Sequence, residues 1–88
     1  MRTLEDTKDF MTSSDYKERF IAEYQQVKIR MEKLRKYICK IKAVETHKAA
    51  ISAPHDCSTY LLNCQYEAMK EYLDILEIRA MVENIELE

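Results

Sequence analysis

Glycine is absent from the chain, and proline occurs once, at Pro54. Together these remove the usual materials of β-hairpins and tight turns and leave helix as the main option. A chain without glycine also has no phosphate-cradling glycine loop. Long apolar runs are missing too: none approaches the ~20 residues that span a bilayer. The opening "MRTLEDTKDF" has no apolar signal core, so no membrane partner and a cytoplasmic location are expected. Cysteines are few, odd in number and irregularly spaced at Cys39, Cys57 and Cys64, which suits free thiols better than a disulfide framework.

What is present is a chain of 88 residues, 47% hydrophobic and 34% charged, a balance that suits one compact domain and no second one. Phe20, Tyr24, Val27, Met31, Leu34, Ile38 and Ile41 follow alternating steps of four and three, a packed helical seam. Thr12 with Asp15, or Asp15 with Glu18, can cap its start. The segment around Pro54 breaks the repeat, since proline disfavours helical geometry before it and donates no backbone hydrogen bond. Asp56 or Ser58 can then open a second helix.

That second helix carries two apolar stripes, one through Leu62, Tyr66, Met69, Leu73, Leu76 and Ala80, the other through Leu61, Cys64, Ala68, Tyr72, Ile75, Val82 and Ile85. One partner helix can cover only one of them, so the other calls for a second subunit. The expected architecture is therefore all-α. It is an antiparallel helical hairpin of two long helices with a short N-terminal segment, assembled into a homo-oligomer. Residues 1–88 form the single domain: an N-terminal segment over 1–13, helix one over 14–48, a turn over 49–56 and helix two over 57–86.

Charge is uneven although the net is −2: residues 28–48 hold eight Lys or Arg against Glu32 and Glu45, and residues 67–88 hold seven acids against Lys70 and Arg79. Opposed blocks of this kind neutralise each other in an antiparallel hairpin, or else mark partner surfaces. The overall negative charge, with acids opposite the basic stretch, weighs against nucleic acid as a partner.

Searching for chemistry turns up little that could react. His55, Cys57 and Cys64 lack a fourth zinc ligand unless Cys39 or His47 crosses the hairpin, so no metal is expected and these residues read as loop and core. No third group orients a thiol nucleophile, and no paired carboxylates stand apart from solvated acids, so no catalytic residue, no cofactor and no enzyme activity are expected. Binding remains, through rings that stack and cations that meet phosphate. Tyr16 sits in the first turn of helix one beside Lys17 and one turn from Arg19, near backbone N–H groups that attract anions. Phe10 lies just upstream, in a segment read as irregular; the plainer alternative is that Phe10 and Tyr16 staple that segment to a neighbouring hairpin. Arg79, isolated among acids, either pairs with Glu83 or Asp74 or lines an anion site between subunits.

Taken together, Tyr16, Arg19, Phe20, Glu23 and Tyr24, then Lys33, Leu34, Tyr37 and Ile38, then Met69, Tyr72, Leu73, Ile75, Leu76 and Arg79 resemble the two arms of a family of short phage-encoded helical-hairpin proteins. These are similar to the hairpin domain of phage sponges that defeat CBASS and Thoeris immunity. The resemblance implies a homo-oligomer, typically a hexamer, that sequesters cyclic oligonucleotide signals without hydrolysing them in the cytoplasm of the infected host. It implies that an aromatic residue before helix one stacks on a base, here Phe10, upstream of Ser14 in the capping place, with Tyr16 as substitute. It also implies a lysine along that helix for the phosphates. Gln25 and Gln26 stand near that place, and Lys28 is the closest cation. A different class of reading is a helical protein-interaction module that docks on a host or virion protein through its apolar stripe.

Overall fold

The computed structural model describes residues 3–46 and 58–87. The expected turn over 49–56, the end of helix one at 48, and His47, His55, Asp56 and Cys57 lie outside the described residues. Within them the chain is all-helical: a 3-10 turn at Glu5–Thr7, then α1 (Lys8–Met11), α2 (Tyr16–Thr46) and α3 (Thr59–Glu83). Among the described residues no helix is long and apolar enough to cross a membrane.

The N-terminal segment differs from the irregular stretch expected of it. Thr3 and Asp6 exchange backbone-to-side-chain hydrogen bonds at 3.2 and 3.3 Å, a reciprocal pair that satisfies two N–H groups at the start of the turn. Thr7 is fully buried. Its hydroxyl donates to the Leu4 carbonyl at 2.7 Å and accepts from the Gln26 amide at 3.1 Å. The turn and α1 thus lie against α2, over the side where Ala22 and Gln25 are buried outside the seam. Seven residues are too few for a periodic signal, and the anchor is a threonine, which composition places outside cores.

Asp15 sets the start of α2. Its carboxylate accepts from the Lys17 N–H at 2.9 Å, and its carbonyl receives the first helical bond from Arg19 at 3.1 Å. Thr12 does not cap α2, because its hydroxyl donates back to the Asp9 carbonyl at 3.3 Å. Ser14 does not take the capping place either. Ser58 caps α3, accepting from Leu61 N–H at 3.2 Å.

α3 ends at Glu83, short of the expected 86. Asn84 takes the left-handed conformation (φ 58°, ψ 43°), and its N–H and that of Ile85 bond back to Met81 and Ala80 at 3.4 and 2.9 Å. This closes the last turn and sends Ile85 into the core. Asparagine tolerates that conformation better than other non-glycine residues, and the chain has no glycine to use.

The core lies along the α2·α3 seam. Phe20 and Tyr24 meet Leu73, Leu76, Ala80 and Ile85, with Val27, Met31 and Leu87 packed against them. Ile38 and Ile41 continue the buried line of α2. The stripe of α3 through Leu73, Leu76 and Ala80 therefore faces α2. The other stripe faces outward along the helix, with Leu61, Tyr72, Ile75 and Val82 all exposed; Ile85, past the helix end, departs from it and is buried. Cys39 and Cys64 are free thiols and both are exposed, so Cys64 is not a core residue.

Candidate functional site

Register in the hairpin is held by tyrosine hydroxyls that donate to carboxylates on the opposite helix. Tyr16 donates to Glu83 at 2.9 Å and Tyr24 to Glu77 at 2.7 Å, while Tyr72 donates in the other direction to Glu23. The start of α2 is thereby fixed beside the end of α3. Two ion pairs form within single helices, Arg35 with Glu32 and Arg79 with Glu83, each at 3.3 Å.

A group of aromatic and charged side chains sits where those two ends meet. The guanidinium of Arg79 lies 5.0 Å from the centre of the Phe20 ring, donates to the Tyr16 hydroxyl at 2.8 Å and pairs with Glu83. The Tyr16 ring stands 6.1 Å from that of Phe20, tilted by 57°. Phe20 is buried and Tyr16 exposed. One cation is thus held on an aromatic floor beside a second ring that solvent can reach. Hydrogen bonding to Glu83 is the main cause holding the Tyr16 hydroxyl above the usual phenol range; desolvation adds to it, and Arg79 opposes it.

The residues expected to bind fall in three places. Tyr16 and Arg79 come together, joined by Phe20 and Glu83. Lys17 lies exposed on the first turn of α2, and Arg19 is turned upstream, donating to the Ser13 carbonyl at 2.8 Å. Phe10 is half-buried in α1, and the ring that Tyr16 touches is Phe20's rather than its own. Lys28 stands about two turns beyond Phe20 on α2, with its ammonium 5.7 Å from the centre of the Tyr24 ring. Gln26, near the place expected of a lysine, is committed to Thr7.

Tyr24 separates two shallow clefts. One, of about 240 Å³, is lined by Tyr24, Lys28, Met31, Lys70, Asp74 and Glu77; the other, of about 320 Å³, by Tyr24, Glu77, Ala80, Met81 and Ile85. The first mixes two ammonium groups with two carboxylates, so it suits a ligand bearing both an anion and hydrogen-bond donors. Phe20 was read as seam alone, because a buried aromatic carries no binding signal until the register is known; of the two acids expected to pair with Arg79, Glu83 is the one found beside it.

A family model, Sequestin, matches residues 14–82, which covers most of the chain. The chain belongs to the Sequestin family. No curated protein and no solved structure matches it. The name Sequestin suggests a sequestering function. Across the Sequestin match lie both long helices of the hairpin as far as Val82, with Tyr16, Lys17, Arg19, Phe20, Lys28 and Arg79; Phe10 and Glu83 fall outside it.

Burial and the Glu77 hydrogen bond push the Tyr24 hydroxyl up to about 12. The unfolded phenol titrates near 10. Tyr24 therefore favours the folded state while protonated: its contribution is complete below about pH 10 and is lost as pH rises towards 12. Allowing for solvent screening, about 1 to 2 kcal/mol should disappear over that window in urea titrations. The Tyr24→Phe chain should show a correspondingly shallower decline. Parallel declines in the two chains would mean that the phenol is not held by Glu77.

Proposed function

We propose that the protein is a phage anti-defence sponge that binds cyclic oligonucleotide immune signals and holds them without cleaving them. The candidates are cyclic dinucleotides or trinucleotides, and cyclic ADP-ribose isomers. The observation that carries this reading is the Sequestin match over residues 14–82. It is supported by the grouping of Tyr16, Phe20 and Arg79 at one end of the hairpin. Such ligands present flat bases and phosphates on one compact ring. Stacking on Tyr16 and pairing of Arg79 with a phosphate would meet both, with Lys17 and Lys28 as further cations.

The two clefts beside Tyr24 lie near the small end of the ~300–1,000 Å³ range of ligand pockets. A site for a cyclic dinucleotide is therefore completed by another copy, in a homo-oligomer for which the resemblance implies six copies. The compartment is the cytoplasm of the infected host, with no membrane or nucleic-acid partner. A second reading, a helical module docking on a host or virion protein, is favoured by the exposed stripe of α3.

A thermal-shift screen of the three ligand classes tests the first reading. A binder at 100 times its dissociation constant adds about 2.7 kcal/mol of apparent stability. Arg79→Ala and Tyr16→Ala should each weaken binding by about tenfold or more, and Lys28→Ala by less. Phe10→Ala should leave it nearly unchanged. If no ligand class shifts the melting temperature, the sponge reading falls and the interaction module replaces it.

A further inference from the structure

Tyr16 and Arg79 direct their hydrogens at one carboxylate. The Tyr16 hydroxyl donates to Glu83 Oε1 at 2.9 Å, and the Arg79 Nε–H donates to Glu83 Oε2 at 3.3 Å. A second guanidinium nitrogen, Nη2, donates to the Tyr16 oxygen at 2.8 Å, which leaves the hydroxyl hydrogen to point toward Glu83. Two donors thus converge on the two oxygens of a single anion, with the Phe20 ring beneath the guanidinium. A phosphate is held by the same kind of arrangement. Here an acid of the chain itself fills it.

Glu83 is otherwise poorly suited to that place. It ends α3, whose last turn holds no basic residue, and the unpaired carbonyls of a helix end disfavour a carboxylate beside them. The helix is closed by the backbone bonds of Asn84 and Ile85 to Met81 and Ala80, so the Glu83 side chain can swing into water without unwinding it. Its bond to Arg79 lies in contact with solvent, the two side chains being 48% and 34% exposed, and an ion pair in that setting is weak. Glu83 also lies just past the Sequestin match, which assigns it nothing.

We propose that Glu83 is a specificity-determining residue that stands in for the ligand's anion: its carboxylate occupies the phosphate place of the Tyr16 and Arg79 pair, and a phosphoryl group binds by displacing it. This rests on the reading of Tyr16 and Arg79 as ligand-binding groups and adds what a ligand must do to reach them. An incoming phosphate oxygen accepts the Tyr16 and Arg79 hydrogens that Glu83 now accepts, and Glu83 turns to water. The exchange selects for charge. A neutral ring stacked on Tyr16 gives Arg79 nothing in return for the lost carboxylate, whereas a phosphoryl anion does.

Sodium pyrophosphate, titrated into the ligand-free protein at fixed ionic strength, isolates the anion step from any base. Glu83→Gln keeps an oxygen for the Tyr16 hydroxyl but carries no charge, and it should bind pyrophosphate about fivefold more tightly than wild type, the equivalent of the exposed ion pair it removes. Glu67→Gln makes the same charge change at an exposed site about three turns earlier on α3 and should bind as wild type does. Arg79→Ala should abolish binding, and adding Glu83→Gln to it should restore none. A further arm uses wild type alone: on saturation with pyrophosphate, the side-chain carboxyl carbon resonance of Glu83 should shift, and that of Glu77, held by Tyr24, should not. Equal affinities for wild type and Glu83→Gln, a gain that survives the loss of Arg79, an equal gain in Glu67→Gln, an unmoved Glu83 resonance, or no pyrophosphate binding would each overturn the displacement. If the pyrophosphate pattern appears and no cyclic nucleotide binds, the displacement stands and the sponge reading falls. If cyclic nucleotides bind and Glu83→Gln matches wild type, the reverse holds.

Discussion

Replacing Phe20 by alanine is expected to lower stability by about 3 to 5 kcal/mol, because a buried aromatic is removed and the seam can only partly close over the space. For a chain of this length the whole unfolding free energy is of the order of 5 to 13 kcal/mol, so the variant stands near the threshold of folding. Phe20 is 3% exposed and touches the cluster formed by Tyr24, Leu73, Leu76, Ala80 and Ile85. It is also the floor under Arg79 and the neighbour of Tyr16. Phe20→Leu separates the two roles. Leucine fills much of the volume and should cost less than about 1.5 kcal/mol. It offers no ring face, so ligand binding through Arg79 should weaken while the fold persists. Urea midpoints of the two variants give the first comparison, and the thermal screen the second. A loss below about 1 kcal/mol for Phe20→Ala would remove Phe20 from the core.

Much of this core was readable before any coordinates. The alternating four and three spacing selected Phe20, Tyr24, Ile38 and Ile41, and all four are buried. The same spacing on α3 selected Leu73, Leu76 and Ala80, which are buried as well. Periodicity works there because burial on one side of a long helix forces it. It fails where the cause is local or non-periodic. The N-terminal turn and α1 escape it because they are short and held by Thr7 and Gln26, two polar residues that acquire a role only when packed. The stop at Asn84 escapes it because Ile85 and Leu87 still suit the apolar pattern, although they reach the core after the helix has ended.

The candidate site was less legible than the fold. Tyr16 and Arg79 were both singled out, Tyr16 for its place at a helix start and Arg79 for its isolation among acids. Their contact could not be read, because it depends on the register between two helices joined by a long connection. Three hydroxyl-to-carboxylate bonds fix that register, and only one of the six side chains involved, Tyr16, stood out as a binder. Lys28 and Phe10 illustrate the converse. Each was chosen by its position along the chain, yet Lys28 lies over Tyr24 in a separate cleft, and Phe10 belongs to α1.

Leu76→Ala and Ile75→Ala, at adjacent positions of α3, should differ several-fold in cost when compared at protein concentrations low enough to keep copies apart. Leu76 is 1% exposed and sits in the α2·α3 core, so truncation leaves a cavity and should cost about 3 kcal/mol. Ile75 points the other way, is half exposed and loses little that water does not replace, so its truncation should cost about 0.5 kcal/mol or less. On sequence alone the two are equivalent, since each lies on an apolar stripe. Their separation depends on the rotation of α3 about its own axis, which the Tyr24 to Glu77 and Tyr72 to Glu23 bonds set from opposite sides of the helix. Equal losses in urea titration would mean that α3 is turned so that both stripes are half-covered. The face through Ile75 and Val82 would then be partly covered rather than outward. A large loss at Leu76 beside a small one at Ile75 fixes the rotation, and with it the direction in which Arg79 leans toward Tyr16 and Phe20.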